Sequence, residues 1–138
     1  MEALFQAATG AGIGSFVPAR GGCAGGSGIG YPCFRSEATL IILLFTDADF
    51  HNGPGGAYPY SGISPTPHTY AQAVTALNAI GAKVLGLMSG LAARDDLIAI
   101  ARDTGAVAAD GTPIVFDIGS DGRSLGVDVV RAVQTLCR

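Results

Sequence analysis

Two aspartates follow an unbroken apolar run in this sequence. Residues Leu40–Phe45 are all hydrophobic, and Thr46, Asp47 and Asp49 come after them. A short apolar run that is closed by turn residues is typical of a strand buried on both faces. In an open α/β sheet, ligands bind at the carboxyl ends of such strands. Asp47 is therefore the first candidate for a binding residue; the alternative is that it only caps the strand or starts a turn.

A long loop rich in glycine and proline follows these acids. Residues 51–67 contain four glycines and four prolines, and loops of this length inside a compact domain are often functional. Each polar or aromatic side chain there is, taken alone, most simply a solvated surface residue. Taken together they are candidates for the rim of a binding face. The candidates are Asp49, which comes just before the loop, and His51, Asn52, Tyr58 and Tyr60 within it; His68 comes directly after the loop.

Signatures of catalysis are missing from the sequence. No Gly-x-Ser-x-Gly nucleophile elbow is present, since Ser89-Gly90 lacks the first glycine, and no His-Glu-x-x-His pattern occurs. The glycines of residues 10–30 follow a predicted helix rather than a strand, so they do not fit a dinucleotide-binding fingerprint. We therefore expect no enzymatic activity, because no nucleophile with a matching base can be identified.

Composition limits the remaining function classes. The chain has 138 residues and 49% hydrophobic residues, which is enough for one domain with a real core. Its net charge of −3 gives no electrostatic basis for binding nucleic acid or an anionic membrane. No apolar run is long enough to span a bilayer. No basic and then apolar leader precedes Glu2, so we expect no signal peptide in this sequence.

Helix and strand signals alternate along the chain. Glu2–Thr9 has a helical apolar spacing, and Thr69 with Gln72 forms a capping box before a second helix. Lys83–Met88 is the next apolar strand. The predicted helices that follow it cover 92–104 and 125–136, and strands at 107–109 and 113–118 flank a turn at Asp110-Gly111.

This order of elements predicts the fold class. Strands that alternate with helices form a mostly parallel sheet with helices on both faces, which is a three-layer α/β fold. The glycine-rich segments 10–30 and 51–67 are the two long loops of this single domain. In the last helix, Val129, Val130, Val133 and Leu136 share one stripe, which we expect to face the core.

Three cysteines are present, at positions 23, 33 and 137. Cys23 and Cys33 lie ten residues apart across a glycine-rich loop, where they are either a disulfide or two unpaired thiols. A structural zinc site is not expected, because zinc ligands are usually more closely spaced and no histidine lies nearby in the sequence. Cys137 lies in an apolar helical pattern and is expected to be a small core residue.

The sequence resembles the von Willebrand factor A-type domain, in particular its integrin-β-like branch and secreted bacterial proteins that carry it. The resemblance is carried by the segments ALFQAATG, IILLFTDADFH and ALNAIGAKVLGLMSG. It covers essentially the whole chain but only the latter two-thirds of the family's domain. It implies a truncated, Rossmann-like member of that fold that acts as a non-catalytic adhesion or protein-interaction module.

The resemblance also implies where a metal ion would bind. In the family, Mg²⁺ or Ca²⁺ is held by an Asp-x-Ser-x-Ser motif and by an aspartate after the fourth strand, which commonly contacts the ion through water. Asp47, preceded by Thr46, matches that aspartate, whereas the Asp-x-Ser-x-Ser motif has no counterpart here. One carboxylate cannot fill the six or more positions that a hard cation requires. We therefore expect an incomplete site, with Mg²⁺ or Ca²⁺ bound only if the missing ligands are supplied.

The same resemblance gives expectations about partners and location. It implies a protein ligand, a secreted or cell-surface location and, from the family's secreted bacterial members, a disulfide between Cys23 and Cys33. Because the family's first strand is missing, Leu40–Phe45 becomes a sheet edge, where we expect pairing with a second copy of the chain. The alternative function is a small-molecule or nucleotide-binding protein of flavodoxin or Rossmann type, in which the glycines of residues 53–62 surround the ligand.

Overall fold

The computed structural model describes residues 1–26 and 28–136. The chain divides into two compact units, each of which is described by itself. The first unit comprises Met1–Leu40 with His51–Ala82. The second comprises Ile41–Phe50 with Lys83–Arg138, described as far as residue 136. The prediction for Cys137 therefore lies outside the described residues.

Helices and parallel strands make up the regular structure, which confirms the predicted mixed α/β class. In chain order, the elements are α1 (Glu2–Thr9), β1 (Ile41–Thr46), α2 (Tyr70–Ala79), β2 (Lys83–Met88), α3 (Arg94–Asp103), β3 (Val115–Asp117) and α4 (Leu125–Leu136). No helix among the described residues is both long and apolar enough to cross a membrane.

The second unit is built on a three-stranded sheet with the order β1-β2-β3, and both neighbouring pairs are parallel. The central strand β2 is its most buried element, with Val84, Leu85 and Leu87 fully enclosed. Helix α3 packs against β2, and a Cβ atom on Gly86 would lie only 2.9 Å from the Cβ atom of Leu97. Glycine at this position therefore lets the helix approach the strand closely.

A cluster of small and branched side chains forms the core of this unit. Its members come from β2, α3, α4 and the segments that flank β3, and they are Leu85, Ala101, Ala106, Ile114 and Ala132. Burial of these residues is the main source of stability for the unit, because removing apolar surface from water is worth about 25 cal/mol per Å².

Strand β1 lies at an edge of the sheet, in agreement with the expectation that the family resemblance gave. The prediction that it is buried on both faces is wrong: its residues are half-buried and Phe45 is 48% exposed. The physical reason is the position of α3, which packs against β2 and β3 and so covers the sheet away from β1. The strand runs from Ile41 to Thr46, one residue later at each end than the apolar run Leu40–Phe45 that predicted it.

Two further predictions in the second unit need correction. In α4 the buried residues are Asp128 and Ala132, whereas Val130 is 54% exposed, so the predicted valine stripe is wrong at that position. The turn at Asp110-Gly111 is present, since the Ala108 amide donates to the Thr112 carbonyl. However, the predicted strand before it is only one isolated bridge, between Val107 and Pro113, and β3 pairs with β2 instead.

In the first unit, α1 and α2 pack together. Helix α2 begins with the predicted capping box, in which the Thr69 side chain accepts from the Gln72 amide and the Gln72 side chain accepts from the Thr69 amide. Gly10 ends α1 in the left-handed region with a φ of 66°, which favours glycine. The interior of α2 is anchored by Ala73 and Leu77, neither of which has measurable exposure.

A disulfide joins Cys23 to Cys33 in the first unit, as the family resemblance implied. Gly28 lies between the two cysteines with a φ of 127°, and a Cβ atom there would lie 2.9 Å from the Sγ atom of Cys23. Glycine at position 28 is therefore required for the chain to pass this close to the disulfide. Closing a loop this short stabilises a fold by about 2–3 kcal/mol on the chain-entropy model.

Candidate functional site

The end of β1 forms a closed local turn. The Thr46 hydroxyl accepts a hydrogen bond from the Ala48 amide at 3.1 Å and donates to the Ala48 carbonyl at 2.9 Å. Both acids that follow β1, Asp47 and Asp49, are exposed. This is the side chain-to-backbone turn that threonine commonly makes at the end of a strand, and it occupies the Thr46 oxygen.

A third acid fixes the segment after this turn. The Asp96 carboxylate accepts a hydrogen bond from the Phe50 amide at 2.7 Å, and Asp96 lies in the first turn of α3. A carboxylate is favourable there because the amino end of a helix carries partial positive charge. This hydrogen bond gives Asp96 a structural role within the unit.

The residues around Asp47 do not fit a magnesium or calcium site. A hard cation needs six or more oxygen ligands, but Asp47 and Asp49 are exposed and the Thr46 hydroxyl is held by Ala48. Within residues 1–26 and 28–136, no group of three or more His, Cys, Asp or Glu side chains is arranged to hold a metal ion.

The predicted binding face lies in the first unit, where residues 51–60 form an ordered loop. The Asn52 amide donates to the Tyr58 carbonyl at 3.0 Å, and the Gly53 amide donates to the Ala57 carbonyl at 2.9 Å. A short 3-10 turn over Pro54–Gly56 completes the reversal. The loop is therefore a small hairpin-like closure rather than an open coil.

The side chain of Asn52 joins three parts of this loop. Its Nδ2 atom donates to the carbonyls of His68 and Pro67, at 2.9 and 3.3 Å, and its Oδ1 atom accepts from the Tyr60 amide at 3.1 Å. Asn52 itself has a φ of 53°, a left-handed conformation that asparagine tolerates better than most residues. Its carboxamide is thus directed into the loop and holds residues 52, 60 and 67–68 together.

Two aromatic side chains and one imidazole lie along the same loop. The His51 ring stacks on the Tyr60 ring with their centroids 4.6 Å apart, and His51 Nδ1 lies 3.0 Å from the Tyr58 carbonyl. Tyr58 has a φ of 47° and is 58% exposed. The structure therefore brings together all four of the predicted loop residues, with Tyr58 the most exposed of the aromatic ones.

A cleft of about 410 Å³ lies between this loop and the start of α2. Its walls are glycine, proline, small and hydroxyl-bearing residues, and none of them is charged. The lining residues are Asn52, Gly55, Gly56, Pro59, Thr69, Tyr70 and Ala71.

Sequence reasoning missed a polar cluster at the other end of the loop. The Glu2 carboxylate accepts hydrogen bonds from the His68 amide at 2.7 Å and from Gln6 Nε2 at 2.6 Å, and it forms an ion pair with His68 Nδ1 at 3.0 Å. The Phe5 ring stacks on the His68 ring with a centroid distance of 3.4 Å. Sixty-six residues separate Glu2 from His68, so no local spacing could have indicated this contact.

The environment of Glu2 changes its acidity. Burial alone raises the pKa of a carboxyl group, but the hydrogen bonds from Gln6 and from the amide and ring of His68, together with the charge of His68, outweigh it. The net effect is that the pKa of Glu2 lies below its ordinary value. The carboxylate form is therefore the one that this cluster stabilises.

Comparison of the chain with protein-family models, with curated proteins and with solved structures gives no match. The likeness to the von Willebrand factor A-type domain therefore depends on the sequence segments and on the order of elements.

We predict that Asp47 does not hold Mg²⁺ or Ca²⁺ with full protein coordination, because the surrounding oxygen ligands are too few. Calorimetric titration should show no sub-micromolar binding of either ion, and Asp47→Ala should leave the titration unchanged. Asp110→Ala, which removes another exposed acid of the second unit, is the control. Sub-micromolar binding that Asp47→Ala abolishes and Asp110→Ala preserves would contradict the prediction.

Proposed function

We propose that this protein is a non-catalytic protein-interaction module of von Willebrand factor A type, with an adhesion-like role. Its binding face is the loop that carries His51, Tyr58 and Tyr60, held in place by Asn52. The observation that carries the proposal is Tyr58, a bulky residue that is 58% exposed and has a φ of 47°.

The left-handed conformation of Tyr58 has an energetic cost. For a residue with a side chain, this region costs about 1–2 kcal/mol relative to the right-handed one. Two contacts of the Tyr58 carbonyl offset this cost. It accepts a hydrogen bond from the Asn52 amide, and it lies within hydrogen-bond distance of His51 Nδ1. Backbone strain of this kind clusters at binding sites, where it fixes a side chain before the partner arrives.

The chemistry of the face favours a protein partner. Tyrosine is enriched at protein interfaces because it combines a large apolar surface with one polar group and few rotatable bonds. The stacked pair of His51 and Tyr60 adds a second rigid aromatic surface to the same loop. The absence of charged side chains along the adjoining cleft supports an uncharged segment of the partner at this position.

The disulfide and the family resemblance support a secreted or cell-surface location as part of this proposal. A disulfide between Cys23 and Cys33 persists in oxidising compartments and is rare in reducing ones.

The cleft beside the loop supports a second candidate, a small-molecule or nucleotide-binding protein. Its volume of about 410 Å³ falls in the range of small-ligand sites. No lysine or arginine lines it, which weakens the nucleotide version of this candidate. A thermal-shift screen with nucleotides discriminates the two candidates, since stabilisation by a nucleotide would favour the second one.

The central prediction concerns Tyr58. Peptides selected from a displayed library against the wild-type protein should lose affinity about tenfold or more on Tyr58→Ala, since truncating an interface tyrosine at a hot spot costs about 2 kcal/mol or more. Phe16→Ala removes an equally exposed aromatic residue of the same unit, at 62%, and is the matched control. Peptides that bind Tyr58→Ala and Phe16→Ala with the same affinity as the wild type would overturn the assigned face.

Strand β1 supports a further part of the proposal, which is pairing with a second copy of the chain. The Thr46 carbonyl accepts from the Ser89 amide at 3.2 Å, so even-numbered β1 residues direct their backbone groups toward β2. Ile41, Leu43 and Phe45 direct theirs to the opposite side. No strand among residues 41–50 and 83–136 pairs with that side.

The composition of this edge favours self-association. Natural sheet edges are usually protected by lysine, proline, bulges or short length. Strand β1 has six residues and contains neither lysine nor proline. It carries no charge either, so two antiparallel copies would meet without like-charge repulsion.

We predict that the chain associates at low micromolar concentration and that Phe45→Lys shifts it to a monomer, because a charge on an edge strand opposes pairing. Light scattering coupled to size-exclusion chromatography measures this. Leu91→Lys, at a residue of the second unit that is 70% exposed but lies outside β1, is the control and should still associate. A wild-type protein that stays monomeric would exclude self-pairing through this edge.

A further inference from the structure

The Glu2 carboxylate is the best-connected acid of the first unit. It contacts three donors, of which two belong to His68 and one to Gln6. The Glu2 side chain is only 14% exposed and that of His68 only 25%. Because His68 comes directly after the proposed binding loop, this cluster ties one end of the loop to α1.

The contact continues from His68 into the loop. The His68 carbonyl accepts from Asn52 Nδ2 at 2.9 Å, and Asn52 Oδ1 accepts from the Tyr60 amide at 3.1 Å. The Tyr60 ring stacks on His51. A continuous series of hydrogen bonds thus connects α1 with Tyr60 of the binding face. Each hydrogen bond is short enough to restrict the position of the next residue.

We propose that Glu2 is a positioning residue for the binding loop, and that protonation of its carboxylate releases the loop from α1. This proposal rests on the proposed function only in taking the released segment to be the binding loop. The contact between Glu2 and His68 does not depend on any partner. In the ionised state, two carboxylate oxygens accept from all three donors. Once protonated, the group loses its negative charge and places an O–H donor among three other donors, so the three contacts are weakened.

The sign of the pH dependence follows from the acidity of Glu2. Its pKa is lower in the folded protein than its ordinary value, mainly because the hydrogen bonds to the carboxylate outweigh the effect of burial. Stability from this contact is therefore fully present above the ordinary glutamate range and is lost as the pH falls through the folded pKa. Release is an acid transition.

The other titratable groups around the cluster are few. They are the His68 ring, the Met1 amino group, which donates to the His51 carbonyl at 2.9 Å, and the His51 ring at the far end of the loop. Helix α2, which packs against α1, contributes Tyr70 and no Asp, Glu, Lys, Arg or His. Among the residues that the structure describes, Glu2 is thus the only carboxylic acid of this cluster.

Nuclear magnetic resonance of the free protein tests the proposal. The chain has two histidines, and each ring stacks on a different aromatic side chain, His68 on Phe5 and His51 on Tyr60. Their ring-proton shifts therefore report separately on the contact with α1 and on the binding face. Amide exchange of Asn52, Gly53 and Tyr60, corrected for intrinsic rates, reports on the loop backbone.

Glu2→Gln is the test variant, because glutamine keeps the size of the side chain and has only one acceptor oxygen. We expect about tenfold faster exchange of the Tyr60 amide, matching the loss of hydrogen bonds to a charged group. We also expect the wild-type protein to show one acid step, below the ordinary glutamate range, in which the His51 and His68 shifts move together. That step should be missing in Glu2→Gln.

Glu37→Gln is the matched control, since Glu37 belongs to the same unit, is fully exposed and bonds only to the neighbouring Ser36 among its side-chain partners. It should retain both the slow exchange and the acid step. Unchanged loop exchange in Glu2→Gln, or an acid step that survives in it, would overturn the proposal. If Glu2→Gln fails to fold, the wild-type titration still decides: shifts of His68 that move without those of His51 would exclude coupling.

No partner is needed for these measurements. A failed peptide selection would thus contradict the proposed function, and the role of Glu2 would still be tested by the exchange measurements. Unchanged exchange in Glu2→Gln would contradict the role of Glu2 and leave the proposed function to the peptide selection.

Discussion

The Asn52 carboxamide is the interaction on which the proposed binding face depends. Four prolines in residues 51–67 lack an amide hydrogen, and four glycines there add conformational freedom, so the loop cannot hold itself by a regular ladder of hydrogen bonds. Asn52 replaces that ladder with two donors and one acceptor that reach residues 60, 67 and 68. An otherwise unstructured segment thereby becomes a fixed surface.

The rest of the first unit serves this arrangement. Helix α2 starts at Tyr70 behind its capping box, and this places His68 at a defined distance from the helix start. The Glu2 carboxylate then holds His68 from α1, so that the His68 end of the Asn52 network is attached to both helices of the unit. A side chain as exposed as Tyr58 can keep a strained backbone only on a support of this kind.

The sequence predicted those elements that depend on local signals. The capping box at Thr69, the helix over Glu2–Thr9 and strand β2 all have their signature within a few residues, and they lie where expected. The edge position of β1 agrees with the expectation drawn from the family resemblance.

Features that depend on distant contacts were not predictable in this way. The pairing of Glu2 with His68 joins residues 66 positions apart and leaves no periodicity in the sequence. The exposure of Val130 was missed because four apolar residues on one helix do not reveal which of them the core can accommodate; a buried Asp128 takes part of that face instead. For the loop, the candidate residues could be named from the sequence, but only the fold shows that the Asn52 side chain points into the loop.

Hydrogen exchange of the backbone amides in Asn52→Asp tests most directly whether the Asn52 side chain holds the loop. Aspartate keeps the shape and the acceptor of Asn52 but has no donor for the carbonyls of residues 67 and 68, against which its charge is unfavourable. We predict that the amides of Gly53 and Tyr60 exchange about tenfold faster or more in the variant, while the Leu77 amide inside α2 remains protected. Equal protection of the loop amides in the variant and the wild type would show that other contacts hold the loop, which would contradict the role of Asn52.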